Sequence, residues 1–132
     1  MINDFQAREI SVFWEELASN SAQFAELFYI HLFDRYPDLF AVFSSGLHKQ
    51  QHTFIYMLGK LIENPNDPKT LTLLRAIGLR HERLGILPAH YPFIREALLK
   101  ALSEAKPQEW TPEIERAWIH LCMQVEDAMT TP

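Results

Sequence analysis

Apolar residues recur along the chain at spacings of three and four, which is typical of helices packed by one face. The first stripe follows the i, i+3, i+4, i+7 pattern: Ile10, Phe13, Trp14 and Leu17. Asn20-Ser21 is expected to break the chain and cap a new helix. That second helix carries its own apolar stripe: Phe24, Leu27, Phe28, His31 and Leu32.

Prolines and glycines then mark where helices start and stop. Pro37 begins a short helix, since a first turn does not need the missing N–H; this helix runs over Asp38 to Phe43 and ends at Ser44-Ser45-Gly46. A longer helix follows until Asn64-Pro65, and the next ends near Gly85 as a C-cap. Two more helices follow Pro88 and the start signal Thr111-Pro112-Glu113, the last with Trp118, Leu121, Val125 and Met129. About seven unequal helices predict an irregular all-α domain over residues 1–132.

Composition narrows the class of protein further. With 132 residues, 48% apolar and 22% charged, the chain fits one globular domain. The single cysteine, Cys122, excludes a disulfide framework and a four-cysteine metal site. A net charge of −5 without a basic cluster argues against nucleic acid as a partner. The sequence shows neither a secretory signal nor a membrane span, so we expect a cytoplasmic protein with no membrane partner.

The candidate chemistry lies in six histidines, a Phe-rich first half and Tyr29. A Gly-rich phosphate loop, a Gly-x-Ser-x-Gly elbow and a paired-cysteine site are all missing from the sequence. His48 and His52 are four apart and could chelate a divalent cation. One pair lacks a third ligand, which favours two exposed residues at the polar start of a helix.

The remaining histidines have ordinary interpretations as well. His81 shares a stripe with Leu74 and Ile77 near a helix end, where a histidine could simply interact with the helix dipole. His31 is expected to be a hydrogen-bonded packing residue, His90 a residue of a helix start and His120 a surface residue. Tyr29 either packs its ring and finds one hydroxyl partner or donates into a cavity. Periodicity and composition leave both interpretations of Tyr29 open.

Several short motifs together resemble the globins, and within them the single-domain bacterial globins and the globin domain of flavohaemoglobins. The first half contributes Leu27-Phe28-Tyr29-x-x-Leu32-Phe33, then Tyr36-Pro37 and Leu39 to Phe43; the second contributes Ile77-Gly78-Leu79-Arg80-His81, His90-Tyr91-Pro92 and Trp118. The intervals agree too. Tyr29 precedes Pro37 by eight positions, Phe43 follows Pro37 by six, and Tyr91 follows His81 by ten, as in that group.

The resemblance implies a three-over-three helical sandwich with a short C helix and a largely absent D helix. It implies haem b as cofactor, with His81 as the proximal iron ligand through Nε2 and Tyr91 beside it. Phe43 would pack on the porphyrin, and Tyr29 and Gln50 would be hydrogen-bond donors on the distal face. The other haem contacts implied are Phe54, Ile77, Arg80 and Ile94.

The register of the distal helix is the point where the chain departs from the family. Placing Gln50 at the distal position directs the apolar positions inward, whereas Gln51 or His52 would require a shift of one or two residues and would turn Phe54 away. The family has a small aliphatic residue where this chain has Phe54. That substitution is expected to narrow the ligand pocket.

The resemblance also implies function: reversible, high-affinity binding of O₂, with NO and CO as further ligands, by a monomer or weak homodimer. The flavohaemoglobins add a glutamate late in the last helix and a flavin reductase. Glu126 and Asp127 are out of register with that glutamate, which would fall near Pro132, and residues 1–132 include no reductase. Two alternatives are therefore an NO dioxygenase served by an external reductase and a non-haem globin-like regulatory module.

Overall fold

Seven α-helices connect through short turns in a computed structural model that describes residues 1–43 and 46–131. The helices are α1 (Asp4–Leu17), α2 (Ser21–Arg35), α3 (Phe40–Phe43), α4 (Leu47–Glu63), α5 (Pro68–Arg83), α6 (Tyr91–Ala105) and α7 (Pro112–Thr130). Three 3₁₀ turns lie at Ala18–Asn20, Pro37–Leu39 and Pro88–His90. Ser44, Ser45 and Pro132 lie outside the described residues, so the predicted end of the short helix at Ser44-Ser45 does too.

Several helix ends follow from the capping chemistry of the sequence. The Thr111 hydroxyl accepts the Ile114 N–H at 3.2 Å, ahead of Pro112 at the first position of α7. The Asp67 carboxylate accepts the Lys69 N–H at 2.8 Å at the start of α5. At the other end of α5, Gly85 adopts φ +89°, a conformation that glycine reaches without strain.

The predicted break at Asn20-Ser21 is present, since Asn20 has φ/ψ of −117°/20° and is the N-cap residue of α2, but the expected capping hydrogen bond is not formed. The backbone stays helical at both ends of this segment, with φ/ψ of −52°/−39° at Ala18 and −62°/−35° at Ser21. The chain therefore tightens into a 3₁₀ turn between α1 and α2, and the Asn20 side chain makes no capping hydrogen bond. The tightened turn redirects the chain, although no side chain caps the start of α2.

The helices pack as the three-over-three sandwich that was predicted, with α1, α4 and α5 over α2, α6 and α7. Helix α7 packs against α1, α5 and α6, and helix α2 packs against α4 and α6. The apolar stripes meet at the centre, where the largest fully buried side chains include Phe13, Leu17, Phe24, Leu102 and Trp118. None of the described helices has the length and apolar character that a membrane-spanning helix requires.

Helices α4 and α5 are held by different neighbours. Helix α4 packs against α1 and α2, whereas the main contact of α5 is with α7. That second contact is very close: a Cβ added at Gly78 would lie 2.0 Å from the Met129 carbonyl oxygen. Only glycine allows the two backbones to approach this far. This contact fixes the position of α5 against α7.

Candidate functional site

His81 lies in the last turn of α5 and contacts the first residue of α6. Its Nδ1 is 3.3 Å from the hydroxyl oxygen of Tyr91, which is itself 5% exposed. In the part of the chain that the structure describes, Nε2 has no hydrogen-bond partner. If Nδ1 carries the proton and donates to Tyr91, the lone pair on Nε2 is available to a metal ion.

The surroundings of His81 favour the neutral imidazole that metal binding needs. Burial lowers the pKa of His81 below its ordinary value of 6.5, and the nearby charge of Arg80 lowers it further. Burial raises the pKa of Tyr91, and the negative charges of Glu126 and Glu82 raise it more. At neutral pH the site therefore holds a neutral imidazole beside a protonated phenol.

Glu126 lies within electrostatic range of Tyr91, although the sequence placed it out of register for a proximal role. Both of its carboxylate oxygens accept hydrogen bonds from the Arg95 guanidinium, each at 2.9 Å. Burial raises the pKa of Glu126, and Arg95 opposes that shift. The structure thus adds a charge pair beside the His81–Tyr91 contact. A sequence signal existed, because Arg95 follows Tyr91 by four positions and so shares its face of α6.

Tyr29 and Gln50 come together from two different helices. Tyr29, on α2, is 4% exposed, and its hydroxyl lies close enough to the side chain of Gln50 on α4 to be affected by it electrostatically. Burial raises the pKa of Tyr29 to about 12, and the side chain of Gln50 opposes this shift by a smaller amount. The phenol therefore keeps its proton over the physiological pH range and can act as a donor.

Aromatic rings surround the Tyr29 phenol. Phe43 and Phe54 each lie 5.8 Å from the Tyr29 ring, centroid to centroid. Phe54 also stacks on Phe28 at 4.5 Å with an interplanar angle of 17°. Much of the bulk of Phe54 is thus absorbed in the contact between α4 and α2. The pair of polar groups at Tyr29 and Gln50 stands in an otherwise apolar, aromatic environment.

The other residues predicted for the site lie on α4, α5 and α6. Ile77 and Ile94 are half-buried against the core, and Arg80 is exposed one residue before His81.

Gln51 is half-buried, whereas His52 is exposed and contacts His48. The proximity of Gln50 to Tyr29 supports Gln50 as the distal residue. His31 bonds Glu104, His90 accepts the Leu87 N–H, and the exposed His120 contacts Gln6, as their ordinary interpretations predicted.

The residues present fit a haem group. His81 offers a neutral nitrogen ligand whose other nitrogen is already engaged, which is the usual arrangement for a metal-binding histidine. Tyr29 and Gln50 offer polar hydrogens, and Phe43 offers a flat apolar surface. His81 on α5 and the pair of Tyr29 on α2 and Gln50 on α4 are the side chains that would hold such a group. Fold and site together define a helical protein of the haem-binding class.

Comparisons with known proteins agree with this class. The Globin family model matches residues 26–129, and the chain therefore belongs to the globin family. Members of this family bind haem and small gas ligands, and the chain is therefore a haem globin.

Individual relatives cover several kinds of globin. An anaerobic nitrite reductase of Oryza sativa subsp. indica is 27% identical over 112 residues, covering 80% of this chain and 77% of the relative. The leghemoglobin of Psophocarpus tetragonolobus is 25% identical over 115 residues, covering 80% and 79%. The flavohemoprotein of Bacillus subtilis (strain 168) is 27% identical over 95 residues, which is 69% of this chain but 24% of that longer protein.

A solved structure supports the fold over nearly the whole chain. An engineered carbene transferase from Rhodothermus marinus, assigned as a nitric oxide dioxygenase, superimposes with a TM-score of 0.84. The match covers 98% of this chain and 92% of that one at 22% sequence identity. At that identity the likeness establishes the arrangement of helices.

Proposed function

We propose that the chain binds haem b through His81 and binds O₂ reversibly with high affinity, with NO and CO as further ligands. Haem, when bound, supplies the iron at which a diatomic ligand is held. The residues of the chain decide how tightly that ligand stays and which reactions it undergoes. The observation that carries the proposal is the buried Tyr29 phenol, which lies among aromatic rings and beside Gln50.

On the proximal side, His81 is the iron ligand and Tyr91 orients it. The Nδ1–H of His81 donates to the Tyr91 hydroxyl oxygen, which fixes both the tautomer and the ring plane. The Arg95–Glu126 pair places a negative charge within range of Tyr91, and that charge helps to keep the phenol protonated. His81 is thus held as a neutral donor in one orientation.

On the distal side, Tyr29 donates its hydroxyl proton to the ligand and Gln50 holds the phenol in place. A hydroxyl donor at this position would favour O₂ over CO, because O₂ would be the stronger hydrogen-bond acceptor of the two ligands. A hydrogen bond to a charged acceptor is worth roughly 1.5–3 kcal/mol, which corresponds to about one to two decades in dissociation rate. Slow release suits scavenging of O₂ or oxidation of NO better than bulk transport.

A second candidate function is NO dioxygenation with electrons from a separate reductase. The Bacillus subtilis flavohemoprotein favours this candidate, since it matches the chain over 24% of its own length and extends well beyond the match. The charge pair of Arg95 and Glu126 beside Tyr91 supplies a polar proximal side of the kind that such an activity would use. Catalytic turnover with NO, O₂ and an added cellular reductase tests it directly.

The visible absorption spectrum of the purified chain, ferric and ferrous, tests the primary proposal. A Soret band with one haem per chain is expected, and a His81→Gly variant should lose that band and regain it with added imidazole. A chain that folds but takes up no haem would overturn the proposal and favour a non-haem globin-like regulatory module. The ferrous spectrum would also report whether Tyr29, Gln50 or His52 competes with external ligands for the iron, which would reduce the apparent affinity in proportion to the fraction of molecules left free to bind.

A further inference from the structure

His48 and His52 bring their Nε2 atoms within hydrogen-bond distance of each other. The two residues lie one turn apart on α4, both are exposed, and their Nε2 atoms are 3.2 Å apart. The ring centroids are 4.7 Å apart and the ring planes are nearly perpendicular, at 86°. The pair therefore places two imidazole nitrogens close together on the exposed side of α4.

The distance between these two nitrogens suits their chelation of one transition-metal ion. A divalent ion such as Zn²⁺ binds imidazole nitrogen at about 2.0–2.1 Å. Two nitrogens 3.2 Å apart would then subtend an angle of about 100° at the ion, between the 90° of cis ligands in square or octahedral sites and the 109° of a tetrahedron. Water molecules can complete the coordination, since the described residues bring no third histidine, cysteine or carboxylate to this point.

The part of α4 that carries the pair is weakly stabilised by its own sequence. Gly46, at the N-cap, has no side chain with which to cap the helix, and the first turn holds no acidic residue. It holds Lys49 instead, whose charge is unfavourable near a helix N-terminus. An ion bridging His48 and His52 would connect the first turn to the second and oppose fraying there.

We propose that His48 and His52 form a surface site for one divalent transition-metal ion, such as Zn²⁺, which stabilises the first turns of α4. This site is separate from the haem ligand His81, which lies on α5. It does not depend on the proposed O₂ chemistry. Gln50 lies between the two histidines in sequence, so the same ion also steadies the turn that carries the distal amide.

Calorimetric titration of the haem-loaded chain with Zn²⁺ tests the site. One ion per chain is expected to bind, and His48→Ala and His52→Ala should each weaken binding by at least about tenfold, because one imidazole replaces a chelate. His120→Ala, which removes another exposed histidine, should bind as the unaltered chain does. Equal binding by all three variants, or no binding by the unaltered chain, would overturn the proposal.

Thermal unfolding gives a second readout that does not depend on the heat of binding. Excess Zn²⁺ should raise the Tm of the unaltered chain and of His120→Ala by several degrees, as expected for a ligand that binds only the folded state. It should leave the Tm of His52→Ala unchanged. The Soret band of each variant, recorded without Zn²⁺, shows that the protein is folded and loaded. A Tm that rises equally with and without His52 contradicts the bridge.

Discussion

The hydroxyl oxygen of Tyr91 lies 3.3 Å from Nδ1 of His81, and this contact joins the last turn of α5 to the first residue of α6. Ile86, in the turn between these helices, donates its N–H to the His81 carbonyl at 2.8 Å. Both the ring and the backbone of His81 are therefore positioned by residues that follow α5. The orientation of the imidazole is set before any metal is bound.

Replacing Tyr91 with Phe should loosen the attachment of haem. The change leaves the half-buried Nδ1–H of His81 without its acceptor and releases the ring plane, so haem dissociation should accelerate by about tenfold to a hundredfold. Transfer of haem to a high-affinity apoprotein measures the rate. Tyr56→Phe is the matched control, because Tyr56 is 63% exposed. Equal haem loss from both variants would show that the contact has no orienting role.

Replacing Tyr29 with Phe should speed the release of O₂. The phenol supplies a hydrogen bond worth roughly 1.5–3 kcal/mol, so the dissociation rate should rise by about tenfold to a hundredfold, while CO release changes far less. Stopped-flow displacement of O₂ by CO measures the rate. Gln50→Leu should produce a smaller increase, since it removes the residue that holds the phenol. An unchanged O₂ rate in Tyr29→Phe would remove Tyr29 from the distal role.

Acidification should destabilise the haem-free chain through His81. Burial and Arg80 hold the pKa of His81 below 6.5, so the unfolded chain binds this proton more readily than the folded chain does. The contribution of His81 to stability is fully present above pH 6.5 and is lost as pH falls through the folded-state pKa. Urea unfolding from pH 7.5 to 4.5 measures this loss. In His81→Leu that part of the pH dependence should be missing; an identical profile would contradict the assignment.

Two glycine-to-alanine changes should have opposite effects on stability. At Gly78 a methyl group would lie 2.0 Å from the Met129 carbonyl oxygen, so α5 must move away from α7, at a cost of about 1–3 kcal/mol. At Gly59 the nearest atom is Trp14 Nε1 at 3.5 Å, an ordinary contact, so alanine should stabilise α4 by roughly 0.5–1 kcal/mol. Urea midpoints of both variants test this, and a stabilised Gly78→Ala would show that α5 and α7 are not in close contact.

Helical periodicity identified the core well because buried helices repeat their apolar positions. Ile10, Phe13 and Leu17, predicted from spacing alone, are among the most buried residues of the chain. The tightened turn at Ala18–Asn20 was missed because Asn20 and Ser21 are good capping residues whether or not the backbone uses them. Local composition shows that a residue is able to cap a helix, and the packing around it determines whether the capping hydrogen bond forms.

The site was predictable where it depends on fixed intervals and not where it depends on packing between helices. The intervals from Tyr29 to Phe43 and from His81 to Tyr91 pointed to two groups that the structure also brings together. The pairing of Glu126 with Arg95 joins α7 to α6, and the rotation of one helix against the other cannot be derived from spacing within either. The stacking of Phe54 on Phe28 is a similar case, because it depends on how α4 lies on α2.

The contact between Gly78 and Met129 has a consequence for how the protein is made. Helix α5 carries His81, but the helix against which it packs lies some fifty residues later in the sequence. A ribosome synthesises α5 well before α7, so the nascent helix has no surface on which to settle until α7 has left the exit tunnel. Co-translational capture of haem should therefore come late, after the segments that form the aromatic core have already had time to collapse.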